Sequence, residues 1–158
     1  MKKIKLVVVD DRDIIRDLLI LMFKSNTTIE VVGDACNGNE AIKLVAEKNV
    51  DVVIMDINMP DMDGLEATKI IKALNPKVKI LCNSFLTDVY QIKSMLDAGA
   101  SGYIRKGEVI HSYIKAIETI HNGGVYLSDE INDETYNKIL KSYRLNGFMK
   151  KNSIINPS

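Results

Sequence analysis

The strongest constraint on how this chain can fold is the regular exchange of one hydrophobic period for another along its length. Five short runs, 4–9, 30–32, 52–55, 78–82 and 102–104, are apolar and largely β-branched. The central ones are continuous rather than alternating, as expected for strands covered on both faces in a parallel sheet. Between them, apolar residues recur at intervals of three and four. The sets are Ile14, Leu18, Leu21 and Met22; Ala41, Leu44 and Val45; Leu65, Ile70, Ile71 and Leu74; Ile92, Met95 and Leu96; and Ile110, Ile114, Ile117 and His121. That is the spacing of a helix face. The order βαβαβαβαβα predicts an α/β fold with a doubly wound, five-stranded parallel sheet and right-handed crossovers.

Breaker residues agree with these boundaries. Asn37-Gly38-Asn39 separates the second strand from its helix, 60–64 is a turn, Asn75-Pro76 ends the third helix, and Gly99 and Gly102 bracket the fifth strand. His121-Asn122-Gly123-Gly124 closes the fifth helix. Residues 1–127 therefore form one domain. An extra C-terminal helix is expected over 128–144 with Ser128 as its N-cap, and 145–158 lacks periodicity and reads as a linker or frayed tail.

At 158 residues, 46% hydrophobic and 27% charged, the chain has the make-up of a soluble globular protein. Its formal net charge is zero and favours no class of partner, but the charge is unevenly placed. Lys138, Lys141, Arg144, Lys150 and Lys151 follow the last acidic residue, Glu134, so the first 134 residues carry a balancing −5. Cys36 and Cys82 have neither CxxC nor metal-ligand spacing and are expected as buried, reduced thiols. The apolar run at 4–9 stops at Asp10-Asp11, too short for a signal peptide or a membrane span, so the expected location is the cytoplasm.

In a doubly wound sheet, ligands bind beyond the carboxyl ends of the strands. Asp10 and Asp11 end the first strand, Asp56 the third, Ser84 the fourth and Lys106 the fifth, so all of them are expected at one rim. Three converging carboxylates repel one another, and a hard cation with oxygen ligands relieves this. Mg²⁺ suits a few carboxylates plus a phosphate. Asp56 is then a carboxylate able to attack phosphorus, with Lys106 and Ser84 as donors to the phosphoryl oxygens and the Asn58 backbone carbonyl as a further metal ligand. Singly, each residue has a plainer explanation: a turn or helix cap for the aspartates, a solvated lysine, a strand-end hydroxyl. Their joint placement on successive strand ends is what points to chemistry.

The order Asp10-Asp11, then Met55-Asp56-Ile57-Asn58-Met59-Pro60-Asp61-Met62-Asp63-Gly64, then Ser84, then Lys106 resembles the response-regulator receiver family over about residues 4–127. The resemblance implies a flavodoxin-like fold, Asp56 as the sole phosphorylated residue, Mg²⁺ held by Asp10 and Asp11, and Ser84 and Lys106 on the phosphoryl group. It implies a histidine kinase as phosphodonor, and Tyr103 as an aromatic switch that turns inward when Ser84 moves. The segments 29–38, 98–103 and 123–128 resemble the NarL/FixJ class, whose members usually carry a LuxR-type helix-turn-helix after a linker. The expectation is a signalling switch rather than an enzyme. It is read as a receiver cut from a longer transcription regulator, with DNA contacted only through an output domain absent from this chain, or else as a stand-alone receiver. Output is expected on the face of the fourth helix, fifth strand and fifth helix, or through a homodimer formed on phosphorylation by the first and fifth helices. Tyr113, Lys115 and Glu118, with Arg16 and Asp17, are expected as exposed partner-facing residues.

Three residues depart from the family pattern. Asn83 stands where an apolar residue is usual and needs a partner if buried. Phe85 is bulky enough to narrow access to Asp56. Leu86 has no polar group to orient a water, so slow hydrolysis of the aspartyl phosphate is expected. A pseudo-receiver that binds partners without phosphorylation is disfavoured by the intact acidic pair, Asp56, Ser84 and Lys106. An aspartyl-nucleophile phosphatase needs an acid two residues after the nucleophile, where Asn58 stands. A flavin carrier needs a phosphate-cradling loop where Asp10-Asp11 would repel phosphate.

Overall fold

The computed structural model describes residues 2–85 and 88–128, together with residues 131, 134, 137–139 and 141. Five strand–helix units run β1 Ile4–Val9, α1 Asp13–Phe23, β2 Ile29–Ala35, α2 Gly38–Glu47, β3 Val52–Asp56, α3 Gly64–Leu74, β4 Lys79–Ser84, α4 Val89–Asp97, β5 Gly102–Arg105 and α5 Ile110–His121. A two-residue strand, β6 Tyr126–Leu127, follows. All pairings are parallel, in the order β2-β1-β3-β4-β5-β6. Among the described residues the sheet thus has six strands rather than the expected five. Two residues are too few to show a period, and β6 is defined by its pairing, Gly102 with Tyr126 and Tyr103 with Leu127.

The continuous apolar runs are explained by two cores, one on each face. Val7, Val9, Val53, Met55, Ile80 and Cys82 point into the core shared with α2, α3 and α4. Leu6, Val8, Val52, Ile54, Leu81 and Ile104 point into the core shared with α1 and α5. Among the described residues no helix is long and apolar enough to cross a membrane. Cys82 is buried, but Cys36 is only half-buried, contrary to expectation, because it lies past the last buried residue of β2.

Two helix faces differ from the reading of the sequence. In α1 the buried residues are Leu19 and Phe23, backed by Ile15 and Met22. Ile14, Leu18 and Leu21 are 74%, 53% and 64% exposed. The helix carries two apolar stripes one residue apart, and the bulkier one, with Phe23, faces the sheet. In α5, Tyr113 is not a free surface residue but 2% exposed. It lies three residues after Ile110 and four before Ile117, on the same stripe. Of the expected C-terminal helix, residues 134, 137–139 and 141 are helical, and Ile131 and Ile139 are buried in the α2–α4 core. The remainder of 129–144, the tail 145–158 and Leu86 lie outside the described residues.

Candidate phosphoryl-transfer site

The chain leaves β1 toward β2 on one side and reaches β3 on the other, so strand order reverses at β1/β3. The carboxyl ends there open onto a crevice. Asp10, the first residue past β1, is fully buried, its amide bonded to the Ala35 carbonyl at 3.1 Å. Its Oδ1 accepts from the Arg12 amide at 2.9 Å, and its backbone carbonyl accepts from the Arg16 guanidinium at 2.8 Å. Arg16 also bonds Asp13 at 2.6 Å and Asp34 at 3.0 Å. It is therefore a clamp on the end of β1, not the exposed rim residue expected, whereas Asp17 is exposed.

Asp56, the last residue of β3, is buried at 3% exposure. Behind it the chain turns tightly, with Asp61 at φ +67°. Gly64 opens α3 so close to the strand end that a Cβ would lie 2.0 Å from the Asp56 carbonyl oxygen, which explains the glycine. Lys106, also buried, reaches both acids, with Nζ 2.6 Å from Asp10 Oδ2 and 3.1 Å from Asp56 Oδ1. The exposed Asp11 completes a cluster in which one carboxylate oxygen each from Asp10, Asp11 and Asp56 lies within 4.8 Å of the others. One lysine against three carboxylates leaves net negative charge. Accordingly, burial first and the Asp10 charge second push the Asp56 carboxyl up to about 6, against the opposing pull of Lys106.

A crevice of about 350 Å³ opens above Asp56, lined by Asp11, Arg12, Asn58, Ser84, Phe85 and Lys106. The expected site residues are thus gathered in one place. A hard cation fits this donor set. The acids offer oxygen ligands with excess negative charge, and buried Asp10 Oδ2 has the Lys106 ion pair but no aligned hydrogen bond. Phe85 is 53% exposed at the mouth, its ring centroid 5.4 Å from the Arg12 guanidinium and 5.5 Å from Lys106 Nζ. Arg12 was not anticipated by the sequence reading.

The strand ends bearing the donors are held by two tyrosines. The Ser84 carbonyl accepts from the Lys106 amide at 3.0 Å and from the Tyr103 hydroxyl at 3.2 Å. Tyr103 is 1% exposed, its ring already inside. Asn83 is buried and has the partner it needs, since the Tyr113 hydroxyl donates to its Oδ1 at 2.9 Å. Ser128, expected as a helix cap, accepts from the Arg105 amide on β5 through its hydroxyl at 2.9 Å.

The sequence matches the family model described as "Response regulator receiver domain" over residues 6–118. It is 35% identical over 144 residues to the transcriptional regulatory protein LnrK of Bacillus subtilis (strain 168), covering 91% of this chain and 66% of that protein. It is 35% identical over 142 residues to the transcriptional regulatory protein DegU of Brevibacillus brevis, covering 90% of this chain and 58% of that protein. The chain thus spans less than two thirds of the length of these relatives. Among solved structures, a LuxR-family two-component response regulator from Aurantimonas sp. SI85-9A1 superposes with a TM-score of 0.81 at 28% identity, over 88% of this chain and 99% of that one.

Proposed function

Since this chain belongs to the response-regulator receiver family, we propose that its switch is thrown by phosphorylation of Asp56. The observation that carries the reading is the buried Asp56 carboxylate, 3.1 Å from Lys106 and clustered with Asp10 and Asp11 at the strand-order reversal. Asp56 attacks the phosphorus of a phosphohistidine on a sensor kinase. The new Oδ–P bond forms as the P–N bond breaks, and the imidazole keeps the leaving electron pair and takes up a proton. Lys106 turns from its carboxylate partners to a phosphoryl oxygen, and the Ser84 hydroxyl donates to another. Asp10, Asp11, Asp56 and the Asn58 carbonyl would hold Mg²⁺, which when bound would supply charge neutralisation for the transferring group.

Once phosphorylated, the domain draws Ser84 toward Asp56, and Tyr103, bonded to the Ser84 carbonyl, reports that movement at β5. Two arrangements a few kcal/mol apart suffice for one charge-assisted contact to shift the population. The exposed Ile14, Leu18 and Leu21 on α1 support a docking role for that helix. The output is transcription through a DNA-binding region outside this chain, in keeping with the names of the relatives.

The test is incubation with acetyl phosphate and Mg²⁺ followed by intact mass. The wild type gains one phosphoryl group and Asp56→Asn gains none. Equal labelling of that variant overturns the assignment.

A further inference from the structure

Asn83 and Tyr113 are buried polar side chains with no part in the phosphoryl-transfer scheme above. Asn83 precedes Ser84 on β4 and lies in register with Asp56 on β3 and Ile104 on β5. Strand alternation turns it away from the α2–α4 core, which holds Cys82, and toward the α1/α5 face. There it meets the Tyr113 hydroxyl at 2.9 Å. Tyr113 belongs to α5, which the chain enters through Gly107, the residue after Lys106, whose φ of +89° is where it turns out of β5. One phenol thus ties the residue before Ser84 to the helix that follows Lys106. Burial pushes its pKa upward, so it stays a neutral donor at physiological pH.

We propose that the Asn83–Tyr113 hydrogen bond is a positioning brace that sets the spacing of Ser84 and Lys106 across the mouth of Asp56. Apolar packing, which holds Ile117 and Ile120 against the same face, is non-directional. A buried hydrogen bond instead fixes both a distance and a direction. The brace bears on β4 and β5, which carry the two donors to the phosphoryl group, whereas the metal-facing Asp10, Asp11 and Asp56 sit past β1 and on β3 and meet the brace only through Lys106 and the β3–β4 ladder. It rests on the reading of Asp56 as phosphoacceptor.

That division supplies the test. Beryllofluoride, a stand-in for the phosphoryl group, is titrated into the Mg²⁺-loaded protein by fluorine NMR, and Mg²⁺ affinity is measured separately. Tyr113→Phe keeps the ring and removes the donor. Its beryllofluoride affinity is expected to fall about five- to tenfold, with Mg²⁺ affinity unchanged and melting temperature lowered. The double variant Asn83→Val/Tyr113→Phe orphans no acceptor, so it regains stability but not beryllofluoride affinity. If Tyr113→Phe is too unstable to titrate, this pair carries the affinity test. Unchanged affinity in either variant, affinity that returns together with stability, or a parallel loss of Mg²⁺ binding overturns the brace. A wild type that binds no beryllofluoride removes the phosphoacceptor reading, and the brace with it. A wild type that binds it as well as the variants do removes the brace alone.

Discussion

The two halves of the carboxyl rim are built by different means. The acid half, at β1 and β3, sits on strands that are apolar and buried on both faces. Its aspartates are placed by the sheet ladder, by the Ala35 and Arg12 bonds to Asp10, and by the close approach of Gly64 behind Asp56. The donor half, at β4 and β5, depends on side chains reaching in from opposite faces. Tyr103 bonds the Ser84 carbonyl from one core and Tyr113 bonds Asn83 from the other. A backbone-held half is insensitive to most substitutions in its helices. A half held by single hydrogen bonds can shift when a ligand offers a better partner, so the proposed function puts the switch in the donor half and the excess charge in the acid half.

The sharpest way to break this division is to disable each half separately. Asp11→Asn removes a charge from the acid cluster and should lower both Mg²⁺ affinity and the rate of labelling by acetyl phosphate, the latter about 100-fold or more. Ser84→Ala should leave Mg²⁺ affinity intact and slow labelling about tenfold, the cost of one donor to the transferring group. Isothermal titration with Mg²⁺ and mass-resolved labelling measure both. A Ser84→Ala protein that loses Mg²⁺ binding would show that the halves are not separate.

The acid half was also the more legible in sequence. A strand of continuous apolar residues announces its own end, so the position of Asp10 and Asp56 at one rim followed from strand order alone, as did the strand-end position, but not the supports, of Ser84 and Lys106 in the other half. The side chains that tune the donor half were not legible. Tyr113 satisfies the 110–113–117 spacing as well as Ile114 satisfies its own, and aromatic residues carry no mark of facing in or out. In α1, Ile14, Leu18 and Leu21 form as regular a stripe as Ile15, Leu19 and Met22, and only packing against β1 and β2 decides between them. Asn83 was recognisable as a buried polar residue in need of a partner, but its partner lies thirty residues away and pairing of that kind leaves no local trace. Arg16 looked like surface charge for the same reason, since its partners Asp10 and Asp34 converge only after β1 and β2 pair.

A smaller effect sharpens the account of the acid half. The Asp56 carboxyl is raised from an ordinary 3.8 to about 6, chiefly by burial. The folded protein therefore holds that proton more tightly than the unfolded chain. This contribution to stability is complete below pH 3.8 and is lost as the pH rises through about 6. Asn cannot ionise and escapes the loss. With chelator present, Asp56→Asn should be about 1–3 kcal/mol more stable than the wild type at pH 7.5, with the gap closing toward pH 4. Mg²⁺ should narrow the gap at pH 7.5 by binding the folded wild type. Urea unfolding at the two pH values measures it, and a gap that widens on acidification would show that Lys106 already compensates the Asp56 charge.

The smallest expected effect concerns Phe85, which touches both halves. Its ring lies at cation–π distance from Arg12 in the loop after β1 and from Lys106 beyond β5. Exposed contacts of this kind are worth about 0.5–1 kcal/mol each, so the ring lightly ties the two sides of the crevice together over Asp56. Two consequences of removing it oppose each other. Phe85→Ala opens the mouth to a small phosphodonor, and it also frees the Lys106 head, which must find the phosphoryl oxygen. Lys106 is buried and keeps its ion pairs to Asp10 and Asp56 without the ring, so its placement should survive and the opening should dominate. Labelling by acetyl phosphate should therefore accelerate about two- to fivefold, the rate equivalent of less than 1 kcal/mol. Phe85→Leu, which has no π face but keeps much of the bulk, separates the two causes: it should label nearly as slowly as the wild type if bulk is what restricts entry. If Phe85→Ala and Phe85→Leu both label more slowly than the wild type, the ring aims the lysine rather than narrowing the path, and Phe85 would then belong to the donor half.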